Sequence, residues 1–407
     1  MKYRKRWIVP ALLSATKEHP VVVLTGARQV GKSTILLEDP AFQDWKYFTL
    51  DDFNLLSMAH QEPEAIWQNQ KKVIIDEVQK EPRLLSTIKQ AVDRDRTVRF
   101  ILSGSANLLL MEKSSESLSG RAVYFNLLPM SLAEIEGRPC PNILSDLLAG
   151  KFPSVGKATK PVPKPCHLMV EGFMPPILTI KTSQGQLRWW EGYIATYLER
   201  DLRQLSRVES LTDYRRVMEA IALRSGQLLN QTEVSRDVGV TQTRVYRYLN
   251  LLEVTCLLKK VPAFHLNRTS RLIKHPKYYF IDPALASYLA GYFTPEDLRA
   301  ARELGGIFEA LVLLHLTILS ELLLPAGRIF YWRTVAGQEV DFILEQGKSL
   351  IAFEVKYSDT PRYDDTKGLR AFVKEFPEAT AGVLVHTGEE VKFLGEKIIA
   401  LPWSFLG

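Results

Sequence analysis

One stretch of the chain, Gly26-Ala27-Arg28-Gln29-Val30-Gly31-Lys32-Ser33 with Thr34 after it, follows directly on the β-branched run Val21 to Thr25. Two glycines with four residues between them, the second followed by Lys-Ser, give the spacing of a loop that wraps phosphates. The glycines let the backbone turn its N–H groups inward, and the next helix offers its N-terminal end to the anion. Lys32 is then placed to neutralise the β and γ phosphates of ATP, and Ser33 to ligate Mg2+. A plain glycine turn before a helix is the competing reading, and the agreement of strand, loop and helix weighs against it.

A second apolar run, Val73-Ile74-Ile75, ends in Asp76-Glu77. Acids at a strand end beside such a loop place Asp76 in the magnesium shell and Glu77 where it polarises water. The next strand-like run, Phe100 to Leu102, leads into Ser103-Gly104-Ser105-Ala106-Asn107. Ser105 and Asn107 are candidates for sensing the γ phosphate, with a helix N-cap as the alternative. Arg121, in Ser117-Leu118-Ser119-Gly120-Arg121, is a candidate arginine finger reaching a neighbouring subunit in a homo-oligomer, with a surface salt bridge as the alternative.

Two further sets of residues carry chemistry. Near the C-terminal end Asp341 closes one strand-like run and Phe353-Glu354-Val355-Lys356 lies in a second, with Glu309 on a helical stretch upstream. Glu354 and Lys356 are two apart and share one face of a strand. The set resembles the PD-(D/E)xK nuclease superfamily, which implies acids holding magnesium and a lysine orienting the attacking water. A degenerate domain that keeps only a salt-bridged pair is the alternative. In the middle of the chain, Asn230 to Val238, Gly239 and Thr241 to Leu252 read as helix, turn and helix. Val245, Leu249 and Leu252 face a core, leaving Gln242, Thr243, Arg244 and Arg247 outward, where a recognition helix meets DNA. Cys256 to Val261 would form a wing. From Thr241 to Lys277 there are eight Lys or Arg against one acid, Glu253, and this local excess favours DNA over a protein-contact surface.

The elements that must position these groups follow from periodicity. Short β-branched runs separated by helical patterns predict a parallel sheet with its ligand at the carboxyl ends of the strands. The expected class is α/β: an N-terminal P-loop NTPase (AAA-type) parallel sheet, a middle winged helix-turn-helix and a C-terminal α/β nuclease-like domain. Eight prolines between Gly137 and Pro176 predict an inserted linker. The expected divisions are 1–136, a linker at 137–185, a helical and winged-helix module at 186–264, and the nuclease-like domain at 265–407.

Length and composition bound the rest. The 407 residues exceed one compact core, and 46% hydrophobic with 24% charged residues excludes global disorder. Three widely spaced cysteines, Cys140, Cys166 and Cys256, fit neither a disulfide framework nor a zinc site and point to a reducing cytoplasm. The run from Ile8 to Ala15 is short, interrupted by Pro10, and reads as a first helix packed on the ATPase domain rather than a signal segment. Leu311 to Leu324 contains His315, Ser320 and Glu321 and is shorter than the roughly 20 residues of a membrane span, so a buried core helix is expected, with no membrane partner.

With GARQVGKST, IIDEVQ, ILSGSAN, SLSGR, LLPMSLAEI, the stretch Tyr197 to Leu202, Gly306-Ile307-Phe308-Glu309 and FEVK in this order, the chain resembles a bacterial and archaeal group of AAA-plus ATPases with a C-terminal domain of unknown function, DUF4143. The resemblance implies ATP binding and the fold more than any substrate. The expected function is magnesium-dependent ATP hydrolysis coupled to DNA binding and, at the C-terminal acids, to nucleic-acid cleavage. The competing expectation is a STAND-like signalling or scaffold ATPase whose C-terminal half binds a protein.

Overall fold

The computed structural model describes residues 3–104, 118–158, 162–196, 210–265 and 275–407. The N-terminal part alternates α1 (Val9–Glu18), β1 (Val21–Thr25), α2 (Lys32–Glu38), β2 (Lys46–Thr49), α3 (Phe53–Gln61), β3 (Lys72–Asp76), α4 (Leu84–Arg94), β4 (Arg99–Ser103) and β5 (Ala122–Asn126). Five parallel strands lie in the order β2-β3-β4-β1-β5. Both faces are covered, which is why the central strands read as unbroken apolar runs. Val22 and Leu24 of β1 enter one core with Leu12 of α1 and Ile35 of α2, while Val21 and Val23 enter another with Leu85 and Ile88 of α4. Pro10 does not break α1 but sits in its first turn, where a missing N–H costs nothing.

The proline-rich stretch is not a free linker. It carries a helix, Ile143–Leu148, then the short β6 (Gly156–Lys157) and α5 (Pro165–Glu171), whose first residue is itself a proline. Phe152 packs edge-on against Phe393, ring centroids 5.3 Å apart, and β6 pairs with a strand of the C-terminal sheet. Proline here starts elements instead of preventing them.

Beyond it come α6 (Ser183–Thr196), α7 (Leu211–Ala222), α8 (Gln231–Val238), α9 (Gln242–Val254), β7 (Leu258–Val261) and β8 (Lys277–Phe280). Asn230 caps α8, Gly239 ends it in the left-handed region, and Thr241 caps α9 through the Arg244 N–H. Val245, Leu249 and Leu252 are buried. The antiparallel β7–β8 pair crosses the expected division at 264/265, so the hairpin belongs with the helices before it. Cys256 precedes this hairpin instead of opening its strand.

The C-terminal part is built on α10 (Leu304–Glu321), β9 (Arg328–Arg333), β10 (Glu339–Gln346), β11 (Ser349–Val355), α11 (Lys367–Glu375), β12 (Ala379–His386), β13 (Glu390–Gly395) and β14 (Ile398–Pro402). The sheet order is β6-β13-β14-β12-β11-β10-β9, antiparallel across β9 to β11 and parallel from β11 through β12 to β14. Helix α10 is long and apolar enough to cross a membrane by composition, yet most of its surface is buried against the sheet and neighbouring helices. Its apolar character on all sides follows from that burial.

Candidate functional site

The turn after β1 fixes the phosphate loop. Gly26 has φ +145, and a Cβ there would stand 2.4 Å from the Leu127 carbonyl oxygen, so no side chain fits. Gln29 and Gly31 also have positive φ, and Lys32 opens α2. Lys32 is buried; its Nζ donates to the carbonyls of Gly26 (3.0 Å) and Ala27 (2.9 Å). Burial pulls the ammonium down to about 8, against the opposing pull of Glu77 and Asp76. A phosphate offers this ammonium a stronger, charge-assisted partner than two neutral carbonyls.

Arg6, which the sequence reading passed over, braces the loop from below. It is buried and donates to the carbonyls of Val30 (3.0 Å) and Leu128 (2.7 Å) and to Glu134 Oε1 (3.1 Å). Glu134 in turn completes a capping box with Ser131.

At the end of β3, Asp76 is 2% exposed, accepts the Glu77 N–H on Oδ1 (3.0 Å) and accepts the Tyr47 hydroxyl on Oδ2 (2.6 Å). Ser33 lies near enough to the Tyr47 hydroxyl to oppose the rise in its pKa that burial and Asp76 cause. One hydroxyl on β2 thus lies beside both residues expected to hold magnesium, and their convergence fits a small hard cation with oxygen ligands. Glu77 has φ +57, a conformation that costs free energy for a non-glycine residue. Gln79 donates to its Oε2 at 2.5 Å. Burial, then the neighbouring Asp76, raises the Glu77 carboxyl above its ordinary range.

These groups open on a cavity of 1310 Å³ lined by Arg28 to Thr34 and Glu77. Its other walls come from outside the parallel sheet: Arg4, Pro175, and Trp189 and Tyr193 of α6. The rings of Trp189 and Tyr193 stack with centroids 5.2 Å apart, and the Tyr193 hydroxyl reaches the Arg28 carbonyl at 3.5 Å. Arg4 Nη1 is buried without a hydrogen-bond partner among the described residues.

Other expected site residues lie elsewhere. Ser105 and Asn107 fall outside the described residues, as do Arg268, Arg271 and Lys274 of the basic segment. Arg121 stands at the start of β5, the opposite end of the sheet from this chain's own loop, and grips both oxygens of Asp93 (2.6 and 2.9 Å). The salt-bridge alternative is the one its geometry fits. On α9, Gln242, Thr243 and Arg247 are exposed, while Arg244 is partly buried and within 3.6 Å of Asp213.

Glu309, Asp341, Glu354 and Lys356 do converge, but with a residue counted above in the basic segment standing among the acids. Lys277, 2% exposed, lies 2.6 Å from Glu339, 3.6 Å from Asp341 and 3.8 Å from Glu309. The Tyr279 hydroxyl donates to Glu309 (2.6 Å), Val355 N–H to Asp341 (2.8 Å) and Lys356 to Glu354 (2.7 Å). Magnesium, implied by the nuclease resemblance, does not fit this arrangement: an ammonium stands among the carboxylates, and no group of three acids, His or Cys among the described residues is poised to hold a metal ion.

Residues 18–136 match the model of the AAA domain, 165–296 a domain of unknown function (DUF8612), and 304–406 a domain of unknown function (DUF4143). The chain therefore carries an AAA-type P-loop ATPase domain and a C-terminal DUF4143 domain. Across 99% of its length it is 29% identical to uncharacterized proteins of Mycobacterium bovis and Mycobacterium tuberculosis, covering 84% of each. Among solved structures, the Walker-type ATPase of Pyrococcus abyssi is similar at 16% identity and TM-score 0.47, over 70% of this chain and 96% of that one. A STAND protein with a tetratricopeptide repeat sensor from Pyrococcus horikoshii is similar at 12% identity and TM-score 0.22, over 77% of this chain and 45% of that one.

Proposed function

We propose that the protein is an ATP-hydrolysing switch whose nucleotide is shared between the AAA domain and α6 of the middle module. The observation that carries this is the cavity walled by the phosphate loop and Glu77 on one side and by Trp189 and Tyr193 on the other. Lys32 would neutralise the β and γ phosphates, and Ser33 and Asp76 would hold magnesium, which screens the charge that develops on the phosphoryl group. Glu77 would orient a water and accept its proton as the water oxygen bonds the γ phosphorus and ADP departs; its raised pKa suits a base. Because the middle module forms part of the wall, loss of the γ phosphate would change what α6 packs against.

The test is phosphate release by the full chain beside nucleotide binding. Glu77→Gln is expected to slow turnover by about 10²- to 10⁴-fold while still binding ATP, and Lys32→Ala to lose both. Normal turnover in both variants would end the assignment.

A second reading, DNA as partner of the middle module, is favoured by the turn between α8 and α9, with Gln242, Thr243 and Arg247 exposed beside it. Duplex binding by the full chain is then expected to weaken at least about tenfold between roughly 50 and 200 mM salt. Affinity indifferent to salt, or no binding at low salt, would leave the module to a protein partner.

A further inference from the structure

The acid cluster on α10, β10 and β11 contains a cation that belongs to the chain. Lys277 comes from β8, part of the hairpin that follows α9, whereas Glu309, Glu339, Asp341 and Glu354 come from the C-terminal domain. Its ammonium is within 4 Å of three of those carboxylates and is almost wholly buried. The nearest approach, 2.6 Å to Glu339, is a charge-assisted hydrogen bond.

The surroundings close the same point from other directions. Tyr279, two residues along β8 and so on the same side of the strand, donates to Glu309. Tyr331 places its ring 5.8 Å from the ammonium, a further favourable contact for a cation. The loop before α8 presses on the start of α10: Ser225 Oγ donates to the Gly306 carbonyl (3.1 Å), and a Cβ on Gly306 would stand 2.1 Å from the Ser225 carbonyl oxygen. One carboxylate oxygen, Glu354 Oε2, is buried with no hydrogen-bond partner among the described residues, so the cluster retains an acceptor that its two lysines do not use.

A divalent ion needs carboxylate oxygens at about 2.0 to 2.6 Å, and with Lys277 in place it would meet a fixed positive charge a few ångströms away. We infer that Lys277 is the resident cation of this cluster, standing where the nuclease resemblance implies a metal and clamping the β7–β8 hairpin to the C-terminal domain. The clamp is independent of the nucleotide site. It makes the C-terminal domain a metal-independent partner of the middle module, with carboxylates that a divalent ion reaches only when Lys277 is gone.

Manganese, used as the probe with full-length protein and no nucleotide, tests this. Bound Mn2+ is counted by electron paramagnetic resonance, and thermal unfolding is followed in EDTA and in Mn2+. In the wild type, Asp341→Asn is expected to change neither the amount of bound Mn2+ nor the response of Tm to it. Lys277→Met is expected to gain one Mn2+ that Asp341→Asn removes, and to recover about 5 °C of Tm on adding Mn2+. Should Lys277→Met fail to fold, the paired Lys277→Gln with Glu339→Gln, which removes one charge of each sign, is expected to show the same gain. A wild-type Mn2+ site lost in Asp341→Asn would overturn the inference, as would folded lysine variants that gain no Mn2+.

Discussion

Tyr47 orients one half of the candidate magnesium site through its hydroxyl, which donates to Asp76 at 2.6 Å and lies near Ser33. A partner that orients metal ligands commonly changes metal affinity by 10- to 100-fold when removed. Tyr47→Phe keeps the ring and deletes only the hydroxyl, so the magnesium concentration giving half-maximal ATP turnover is expected to rise about tenfold, with kcat at saturating magnesium little changed. A magnesium titration of phosphate release reads this directly; an unchanged midpoint would reduce Tyr47 to packing. Nothing in Lys46-Tyr47-Phe48-Thr49 announces this role. The phosphate loop is legible in the chain because eight consecutive residues set its backbone, whereas Tyr47 reaches Asp76 only through the register that pairs Thr49 with Asp76 across two strands. Lys277 misleads for the same reason: its neighbours in sequence are basic, and its neighbours in space are Glu309, Glu339 and Asp341.

At the scale of elements, local signals predicted most boundaries well, since caps and glycines act on their own helices. Thr241 and Gly239 bracket the turn between α8 and α9 where the pattern places it. Prolines were misleading between 137 and 176, because a proline's effect depends on whether the chain is starting a helix there. Contacts between elements were invisible, and Gly306 is the clearest case. At the first turn of α10 it lets the Ser225 carbonyl approach so closely that a methyl group would overlap it at 2.1 Å, while among the described residues nothing lies within 4 Å of a Cβ at the adjacent Gly305. Alanine is the better helix former by roughly 1 kcal/mol, so the two positions are expected to respond with opposite signs. Gly305→Ala should stabilise by up to about 1 kcal/mol. Gly306→Ala should destabilise by about 1 to 3 kcal/mol, since the packed loop has to move. Urea unfolding of both variants measures the difference, and equal shifts would mean that the loop yields without cost.

Across the whole molecule, one imidazole joins the C-terminal domain to the AAA side. His315, in the middle of α10, is 1% exposed; its Nε2 accepts the Leu132 N–H at 3.1 Å, so the proton sits on Nδ1 and is donated to the Leu311 carbonyl at 2.8 Å. Both nitrogens are satisfied in the neutral form only. Burial lowers the imidazole from 6.5 to about 4, opposed by the bond to Leu311 and by Glu134. Above pH 6.5 the folded and unfolded chains both hold it neutral and it exerts no pH dependence. Below that the unfolded chain takes up a proton that the folded one refuses, so stability falls with pH until about 4, where the folded imidazole protonates too. Between pH 7.5 and 5 the loss from this group is about 2 kcal/mol. Asp282 works in the opposite direction: burial raises it to about 6, so its contribution to stability grows as pH falls through that value. Comparing wild type with His315→Gln in urea at pH 7.5 and 5 isolates the imidazole, because Asp282 is common to both proteins. The variant is expected to be less stable at pH 7.5 and to lose about 2 kcal/mol less than the wild type on acidification. Parallel losses in the two proteins would mean that His315 titrates alike in the folded and unfolded chains.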